Sequence, residues 1–345
     1  MPALPPYAGG AYLRESVLEK SMSSALRVGG IHHVTAIAGD PQENVDFYAG
    51  LLGMRLVKRS VNQDDPGTYH LFYADAEGHA GSDLTFFPWP GMGPGRLGTG
   101  LTNEVVFAVP EGSLGFWRDR LEKEGVRPTE TTRFGEPTLT FSDIHGLHLA
   151  ISATPRAEKR AFTPWKRSAI PVEHQIRGLH AARLVELAAD ATSGFATHVL
   201  GMRHVGSEDG WDRYEGRDPN SGFMEVASKP SLPRGSWGVG TVHHVAWRTR
   251  DEAEQLQFRS RVQQAGASIT PVIDRFWFHS VYFREPGGVL FEIATDGPGF
   301  GVDEDLETLG EKLVLPPWLE EQRESIEAGL PPIELPHERK RVQHA

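Results

Sequence analysis

The chain repeats one pattern of residues, and this repeat constrains the fold more than any single segment does. The run Gly30-Ile31-His32-His33 leads to Leu52-Gly53-Met54-Arg55, and the run Gly178-Leu179-His180-Ala181 leads to Leu200-Gly201-Met202-Arg203. The interval from His32 to Gly53 equals the interval from His180 to Gly201. In each case a strand-like run enters a helix-like stretch that ends at glycine, the residue favoured just after a helix C-terminus.

Three strand-like runs follow the first of these glycines, so the repeating unit is predicted to be βαβββ. The pattern fits four segments, roughly residues 28–92, 98–154, 176–230 and 238–297. The predicted organisation is an N-terminal extension over 1–27, an N-terminal domain of two modules over 28–154, a linker over 155–175, a C-terminal domain of two modules over 176–297, and a tail over 298–345. The tail is predicted to contain one amphipathic helix, from Trp318 to Ala328, between proline pairs.

Composition limits the classes of function. The 345 residues are 39% hydrophobic, which is enough to bury two cores, and the formal charge of -11 disfavours nucleic acid as a partner. No run approaches the roughly 20 apolar residues that cross a bilayer, and residues 1–30 lack a basic start followed by an apolar run, so the protein is predicted to be cytoplasmic. Cysteine is absent, so any metal must be held by nitrogen and oxygen atoms.

Two histidine doublets, His32-His33 and His243-His244, lie in β-branched apolar runs, and Glu292 lies in a third such run. Two histidines and a carboxylate on three strands are the ligand types of a metal site with open positions, as in non-haem Fe(II) oxygenases. Because neighbouring side chains of a strand point to opposite faces, only one histidine of each doublet is expected to face a barrel interior, and the other is expected to face outward or along the rim.

Three strands after one helix form a half-barrel that cannot close its own edge, so the modules are expected to pair around a cavity. The run from Ile31 to Gln42, with Asp46-Phe47-Tyr48 and the run from Asp64 to Leu71, resembles the first module of the vicinal oxygen chelate superfamily. Within that superfamily the chain is similar to bacterial dioxygenases that open hydroquinone and chlorohydroquinone rings. The likeness covers roughly residues 28 to 335 and implies an α+β fold in which four βαβββ modules form two half-closed barrels.

The repeat leaves two arrangements of the modules open. If the first module pairs with the fourth, one barrel collects His33, His244 and Glu292, and the other retains Glu225 as a structural residue. If modules pair in chain order, His180 becomes a rival ligand. The resembled family favours the first arrangement and assigns the metal to the second histidine of each doublet.

The resemblance also implies roles for residues near the centre. Tyr282, Arg275 and His243 are the candidate catalytic residues, and His32 and Thr35 are the candidate substrate-binding residues. The aromatic runs Phe276-Trp277-Phe278 and Phe86-Phe87-Pro88-Trp89 are candidates for the pocket wall.

The implied activity is that of an Fe(II)-dependent ring-cleaving dioxygenase, with Mn(II) as the alternative metal, which inserts dioxygen beside a hydroxyl of a hydroquinone-type ring. Catechol is not excluded as a substrate, and a homo-oligomer stays open. A glyoxalase-type lyase or isomerase is the alternative enzyme, but its chemistry usually needs a second carboxylate near the position of Thr85. A module that only sequesters an aromatic ligand would have no need of Glu292.

Overall fold

The computed structural model describes residues 26–336, and these residues form two curled eight-stranded sheets with few helices. The α+β fold of paired half-barrels predicted from the repeat is confirmed. The predicted N-terminal extension lies outside the described residues except for positions 26 and 27.

The first sheet contains the strands of the first and fourth modules, in the order β14-β15-β16-β13-β1-β4-β3-β2. These strands are β1 (Ile31–Ala38), β2 (Arg55–Asn62), β3 (Asp65–Ala74), β4 (Asp83–Pro88), β13 (Thr241–Thr249), β14 (Ile273–Asp274), β15 (Phe278–Arg284) and β16 (Leu290–Pro298). The second sheet contains the strands of the second and third modules, in the order β10-β11-β12-β9-β5-β8-β7-β6. These strands are β5 (Leu101–Val109), β6 (Thr129–Arg133), β7 (Glu136–Ser142), β8 (His148–Ala153), β9 (Leu179–Glu186), β10 (Arg203–Glu208), β11 (Trp211–Glu215) and β12 (Phe223–Ser228).

The sheet order decides between the two module pairings. Strand β1 pairs with β13 and strand β5 pairs with β9, both antiparallel, so the first module joins the fourth and the second joins the third. The predicted one-plus-four pairing is therefore confirmed, and pairing in chain order is excluded. Each sheet takes one module from each side of the linker.

Each module carries one helix between its first and second strands, as predicted. The four are α1 (Pro41–Val45, continued by a π-helical turn over Asp46–Leu51), α2 (Leu114–Lys123), α3 (Asp190–His198) and α4 (Glu252–Gln264). Asp40 caps α1 by accepting hydrogen bonds from the backbone N–H groups of Gln42 and Glu43, and Pro41 suits the first turn because it has no N–H to satisfy. Gly53 and Gly201, which the repeat placed just after two helices, both adopt φ of 67°.

The tail follows the outer surface of the first module. Residues Pro317–Gln322 form a 3-10 turn that leads into α5 (Arg323–Gly329), close to the predicted helix. Leu315, Leu319 and Ile326 pack against Val61. The buried Lys58 donates to Asp303 at 2.7 Å, which ties the start of the tail to β2. No helix among residues 26–336 is long and apolar enough to cross a membrane.

Two buried carboxyl groups, Glu186 and Glu285, meet where the two sheets adjoin, and they predict how stability depends on pH. Glu285 accepts hydrogen bonds from the backbone N–H groups of Gly287 and Val289, at 2.9 and 2.8 Å, and from the Thr192 hydroxyl at 2.7 Å. Burial and the neighbouring Glu285 raise the pKa of Glu186 to about 9. The protein is therefore expected to hold a proton on Glu186 at neutral pH.

Because that folded-state pKa lies above the unfolded value, the contribution of Glu186 to the free energy of unfolding should be largest below the unfolded pKa and should be lost as pH rises to about 9. Glu186→Gln should flatten this decline, measured by urea unfolding between pH 6 and pH 10. Glu173→Gln, which removes an exposed carboxylate, is the matched control. Equal pH slopes for wild type and Glu186→Gln would contradict the prediction.

Candidate metal centre

Two β-bulges shape the centre of the first sheet. The register of β1 and β13 pairs Ile31 with Trp247 and His33 with Ala246, so His32 is the extra residue of one bulge. It pairs Thr35 with His244 and Ala36 with Val242, so His243 is the extra residue of a second bulge. Bulges re-aim side chains next to active sites. The side chain of the first histidine in each doublet therefore does not follow the regular alternation of side chains between the two faces of the sheet.

The three predicted ligands converge in the interior of the first sheet, and all three are buried. The Nε2 atoms of His33 and His244 lie 3.3 and 3.0 Å from Glu292 Oε2, and 3.3 Å from each other. Strand β13 runs between β1 and β16, and Ala246 of β13 faces both His33 and Glu292 in register. This small residue leaves the space between the ligands open.

Electrostatics in this cluster favour a cation. Burial lowers the pKa of His244, and although burial alone would raise the pKa of Glu292, His33 and His244 hold it well below its usual range. Glu292 Oε2 accepts no hydrogen bond from any residue in the described part of the chain. Three atoms with lone pairs facing one another repel unless they share a positive charge, so the residues fit a metal ion. Two imidazoles and one carboxylate suit Fe(II) or Mn(II).

The first histidine of each doublet contacts the second through its ring. His32 Nδ1 lies 2.9 Å from His33 Nδ1, and His243 Nδ1 lies 2.8 Å from His244 Nδ1. His32 Nε2 lies 3.1 Å from the carbonyl oxygen of Thr295, which only accepts, so His32 carries its proton on Nε2. His32 Nδ1 must then accept from His33 Nδ1–H. This series of hydrogen bonds leaves a lone pair on His33 Nε2, the atom that faces Glu292.

His32 is therefore expected to set the tautomer of a metal ligand. Burial lowers the pKa of His32 to about 3, so the ring is neutral at pH 7. His32→Phe removes the acceptor and should weaken metal affinity by about 10- to 100-fold, measured by competition with a chelator. His32→Asn keeps an acceptor near the position of Nδ1 and should recover part of that affinity. Equal losses in the two variants would show that His32 acts only through packing.

A cavity of about 370 Å³ opens onto the metal centre. Its inner wall is mostly aromatic. Two tryptophans, a methionine and a segment of four polar residues border its mouth. The wall contains Phe72, Phe87, Trp277 and Phe278, and the mouth contains Asn62, Gln63, Asp64, Asp65, Trp89, Met92 and Trp237. Four members of the two predicted aromatic runs thus line the cavity, whereas Phe86 and Phe276 do not.

The three predicted catalytic residues also line this cavity. Tyr282 is opposite Glu292 in register, and its hydroxyl oxygen accepts a hydrogen bond from Arg275 Nε at 3.2 Å. Burial raises the pKa of Tyr282, so the phenol keeps its proton. Arg275 also donates to Asp64 at 2.9 Å, which fixes its guanidinium at the cavity edge. His243 stacks on Trp237 with ring centroids 4.4 Å apart.

The two predicted substrate-binding residues lie elsewhere. His32 and Thr35 are buried and do not line the cavity. His32 lies behind His33 because its bulge turns the ring towards its neighbour, so the expectation that it faces outward or along the rim is wrong. The Thr35 hydroxyl lies 2.9 Å from His244 Nε2 and 2.7 Å from the Thr85 hydroxyl. His32 therefore contacts the Nδ1 side of His33, whereas Thr35 lies beside the Nε2 atom of His244 that faces Glu292.

The rival ligand His180 lies in the second sheet. There the register makes Asn103 and His180 the extra residues of two bulges, so His180 occupies the position of His32 and His243 rather than a ligand position. The ligand positions carry Glu104 and Ala181, and Arg183 lies between Glu104 and Glu225, with contacts of 3.3 and 2.9 Å. An arginine thus provides the central positive charge in the second sheet.

Several residues of the site were missed from the sequence, and His70 and Ser280 are the two with polar contacts at the centre. His70 lines the cavity, packs on Phe72 and Phe87, and lies 2.9 Å from the Thr85 hydroxyl. Burial lowers its pKa well below its ordinary value. Ser280 donates to Glu292 Oε1, which orients the carboxylate. Strand periodicity could have indicated both residues, because residues two apart in a strand line the same face. Ser280 is two residues from Tyr282, and His70 is two residues from Phe72.

Known proteins share this fold over most of the chain. The family model of the Glyoxalase/Bleomycin resistance protein/Dioxygenase superfamily matches residues 30–151 and 179–293. A crystal structure of a Bacillus subtilis protein superimposes with a TM-score of 0.85 at 44% identity, and the match covers 90% of this chain and 98% of that chain. Glyoxalase I from Zea mays matches 77% of this chain and 92% of its own with a TM-score of 0.57 at 15% identity, which shows the fold alone.

Similar proteins also have names that describe an activity. A Bacillus subtilis (strain 168) protein named "Putative ring-cleaving dioxygenase MhqO" is 45% identical over 311 residues, which are 90% of this chain and 98% of that protein. The chlorohydroquinone/hydroquinone 1,2-dioxygenase of Sphingobium indicum is 31% identical over 303 residues, which are 85% of this chain and 93% of that enzyme. The chain therefore belongs to the glyoxalase/bleomycin resistance protein/dioxygenase superfamily, and these two relatives carry the names of ring-cleaving and hydroquinone dioxygenases.

Proposed function

We propose that this protein is a metal-dependent dioxygenase that cleaves the ring of a hydroquinone-type diphenol, with Fe(II) held by His33, His244 and Glu292. The observation that carries the proposal is a cluster of two imidazoles and one carboxylate that faces an aromatic cavity of about 370 Å³. The names of the relatives support the same reaction class. Bound Fe(II) would supply open coordination positions for substrate and dioxygen together with the redox capacity that ring cleavage requires.

The protein side chains have separate tasks in this proposal. Phe278 and Trp277 exclude water and hold a flat ring against the centre. Tyr282 accepts from Arg275 Nε–H, so its own O–H is directed elsewhere and donates to an oxygen of the reacting groups. The cation of Arg275 stabilises the negative charge that develops on those oxygens.

His243 is the proposed hydrogen-bond donor at the cavity wall. If His244 Nε2 keeps its lone pair for a metal, His244 Nδ1–H donates to His243 Nδ1, and the remaining proton of His243 lies on Nε2. Burial lowers the pKa of His243 well below its ordinary value, so the ring stays neutral. A neutral ring with Nε2–H donates a hydrogen bond to a substrate hydroxyl without adding charge to the cavity.

A glyoxalase-type lyase is the competing function, and the fourth position of the barrel argues against it. Thr85 faces Thr35 there, with their hydroxyl oxygens 2.7 Å apart, and supplies no second carboxylate.

The test is to load metal-free protein with Fe(II) under anaerobic conditions, add a panel of hydroquinones and catechols, admit air, and follow oxygen uptake together with ring-opened product. We expect stoichiometric oxygen uptake with at least one hydroquinone. Turnover of a hemithioacetal, without oxygen uptake on any diphenol, would overturn the proposal. Preference for a catechol over every hydroquinone would retain the reaction class and correct the substrate.

A further inference from the structure

A narrow polar crevice lies where the two sheets adjoin, on a surface separate from the aromatic cavity. Its volume is about 50 Å³, and its wall combines the first module, the linker, the third module and strand β13. The wall is formed by Ala80, Gly81, Ser82, Arg160, Ala161, Arg177, Asp218, Asn220, Ser221 and Arg248. This volume holds a small ion or a few water molecules and excludes a nucleotide or a peptide.

Three arginines line the crevice, and two of them retain donors without acceptors. Arg160 donates from Nη1 to the carbonyl oxygen of Leu179 at 2.7 Å, but its buried Nε and Nη2 atoms have no acceptor among the described residues. Arg177 is only 8% exposed and donates from Nη2 to the carbonyl oxygen of Val172 at 3.0 Å. Its Nε atom is also buried and without an acceptor in the described part of the chain.

The nearby carboxylates are already engaged. Arg248 forms a two-point pair with Asp296, with both contacts at 2.9 Å. Asp218 accepts hydrogen bonds from the backbone N–H of Asn220 at 2.9 Å and from the Ser221 hydroxyl, so its oxygens stabilise the turn that Asp218 begins. No carboxylate among residues 26–336 forms an ion pair with Arg160 or Arg177. The crevice wall therefore contains three arginines and one carboxylate, Asp218, whose charge acts on Arg160 without a direct ion pair.

We propose that this crevice binds one small inorganic anion, a halide or an oxyanion, between Arg160 and Arg177. A buried guanidinium costs free energy unless it is both hydrogen-bonded and compensated in charge. Water could accept the free N–H groups, but it would leave the excess of positive charge in the wall, where three arginines face one carboxylate. An anion satisfies both needs, since guanidinium groups donate charge-assisted hydrogen bonds to it.

The crevice is joined to the strand that carries the first histidine doublet. The backbone N–H of Gly81 donates to the carbonyl oxygen of His32 at 2.7 Å, and the N–H of Ile31 donates to the carbonyl oxygen of Ser221 at 2.7 Å. A bound anion would therefore stabilise the junction of the sheets at the start of β1. This proposal does not depend on which reaction the aromatic cavity supports.

The solution test uses the whole protein in chloride-free buffer, with bromide or phosphate titrated at constant ionic strength against gluconate, an anion too large for the crevice. Saturable thermal stabilisation by bromide or phosphate is expected in wild type and in Arg127→Gln, which removes an exposed positive charge. Arg177→Met and Arg160→Met should each lose the saturable part. Equal stabilisation in wild type and both crevice variants would overturn the proposal.

The crystallographic test needs only the wild-type protein, so it stands even if the variants fail to fold. Crystals grown with bromide should show an anomalous peak within hydrogen-bonding distance of Arg160 and Arg177. Water in the crevice, with no anomalous signal there at saturating bromide, would overturn the proposal.

Discussion

Glu292→Ala is expected to release the metal and to lower ring cleavage by more than about 100-fold, because residues that only support a metal ligand already cost about 10- to 100-fold. Glu292 supplies the one carboxylate of the triad, and its Oε2 atom lies within 3.3 Å of both imidazole nitrogens. His33→Ala and His244→Ala should have the same effect. Metal content by mass spectrometry and oxygen uptake with a hydroquinone are the two measurements.

His180→Ala is the control for this series. His180 is buried like the ligands, but its Nε2 atom lies 2.8 Å from Glu136 in the second sheet. The variant should therefore keep its metal. Loss of metal from His180→Ala, with retention in His33→Ala, would show that the ligand assignment is wrong.

Glu225→Ala is expected to lower the free energy of unfolding by about 3–5 kcal/mol, because removal of one partner leaves buried charges uncompensated. Glu225 forms ion pairs with Arg213 at 2.7 Å and with Arg183 at 2.9 Å, and all three side chains are buried. Urea unfolding of metal-free protein measures the loss. The folded variant should bind metal as wild type does, since Glu225 lies in the other sheet.

The contrast with Glu292 makes this prediction specific. Glu225 and Glu292 occupy the same place in their modules, each facing the first strand of its own module in parallel register. Glu225 is expected to determine the free energy of unfolding, and Glu292 is expected to determine the metal content. A Glu225→Ala protein that loses metal while retaining wild-type stability would contradict the division of roles between the two sheets.

The module repeat could be predicted because its residues recur at equal intervals. The repeat alone left two pairings open, and the resemblance to the superfamily favoured the pairing that brings His33, His244 and Glu292 together. The sequence did not predict the bulges at His32 and His243. A bulge is an extra residue relative to a partner strand, and a single strand read alone does not reveal its partner's register. Strict alternation consequently misplaced His32.

His70 and the paired arginines of the crevice were missed for a different reason. A single histidine in an apolar strand looks like a core residue, and only the packing of β3 beside β4 brings His70 to the cavity. Arg160 and Arg177 come together through the linker, where no periodicity relates one residue to another.

Pairing the first module with the fourth also determines when the centre can form. His33 and His244 are separated by 211 positions, and the strands of the second sheet are made between them. A nascent chain that ends at the linker has one histidine ligand and lacks β13, so β1 is paired on one side only, with β4. Metal capture should therefore follow synthesis of the last module, and a metal ion that joins His33 to His244 closes a loop of 211 positions and holds its two ends together.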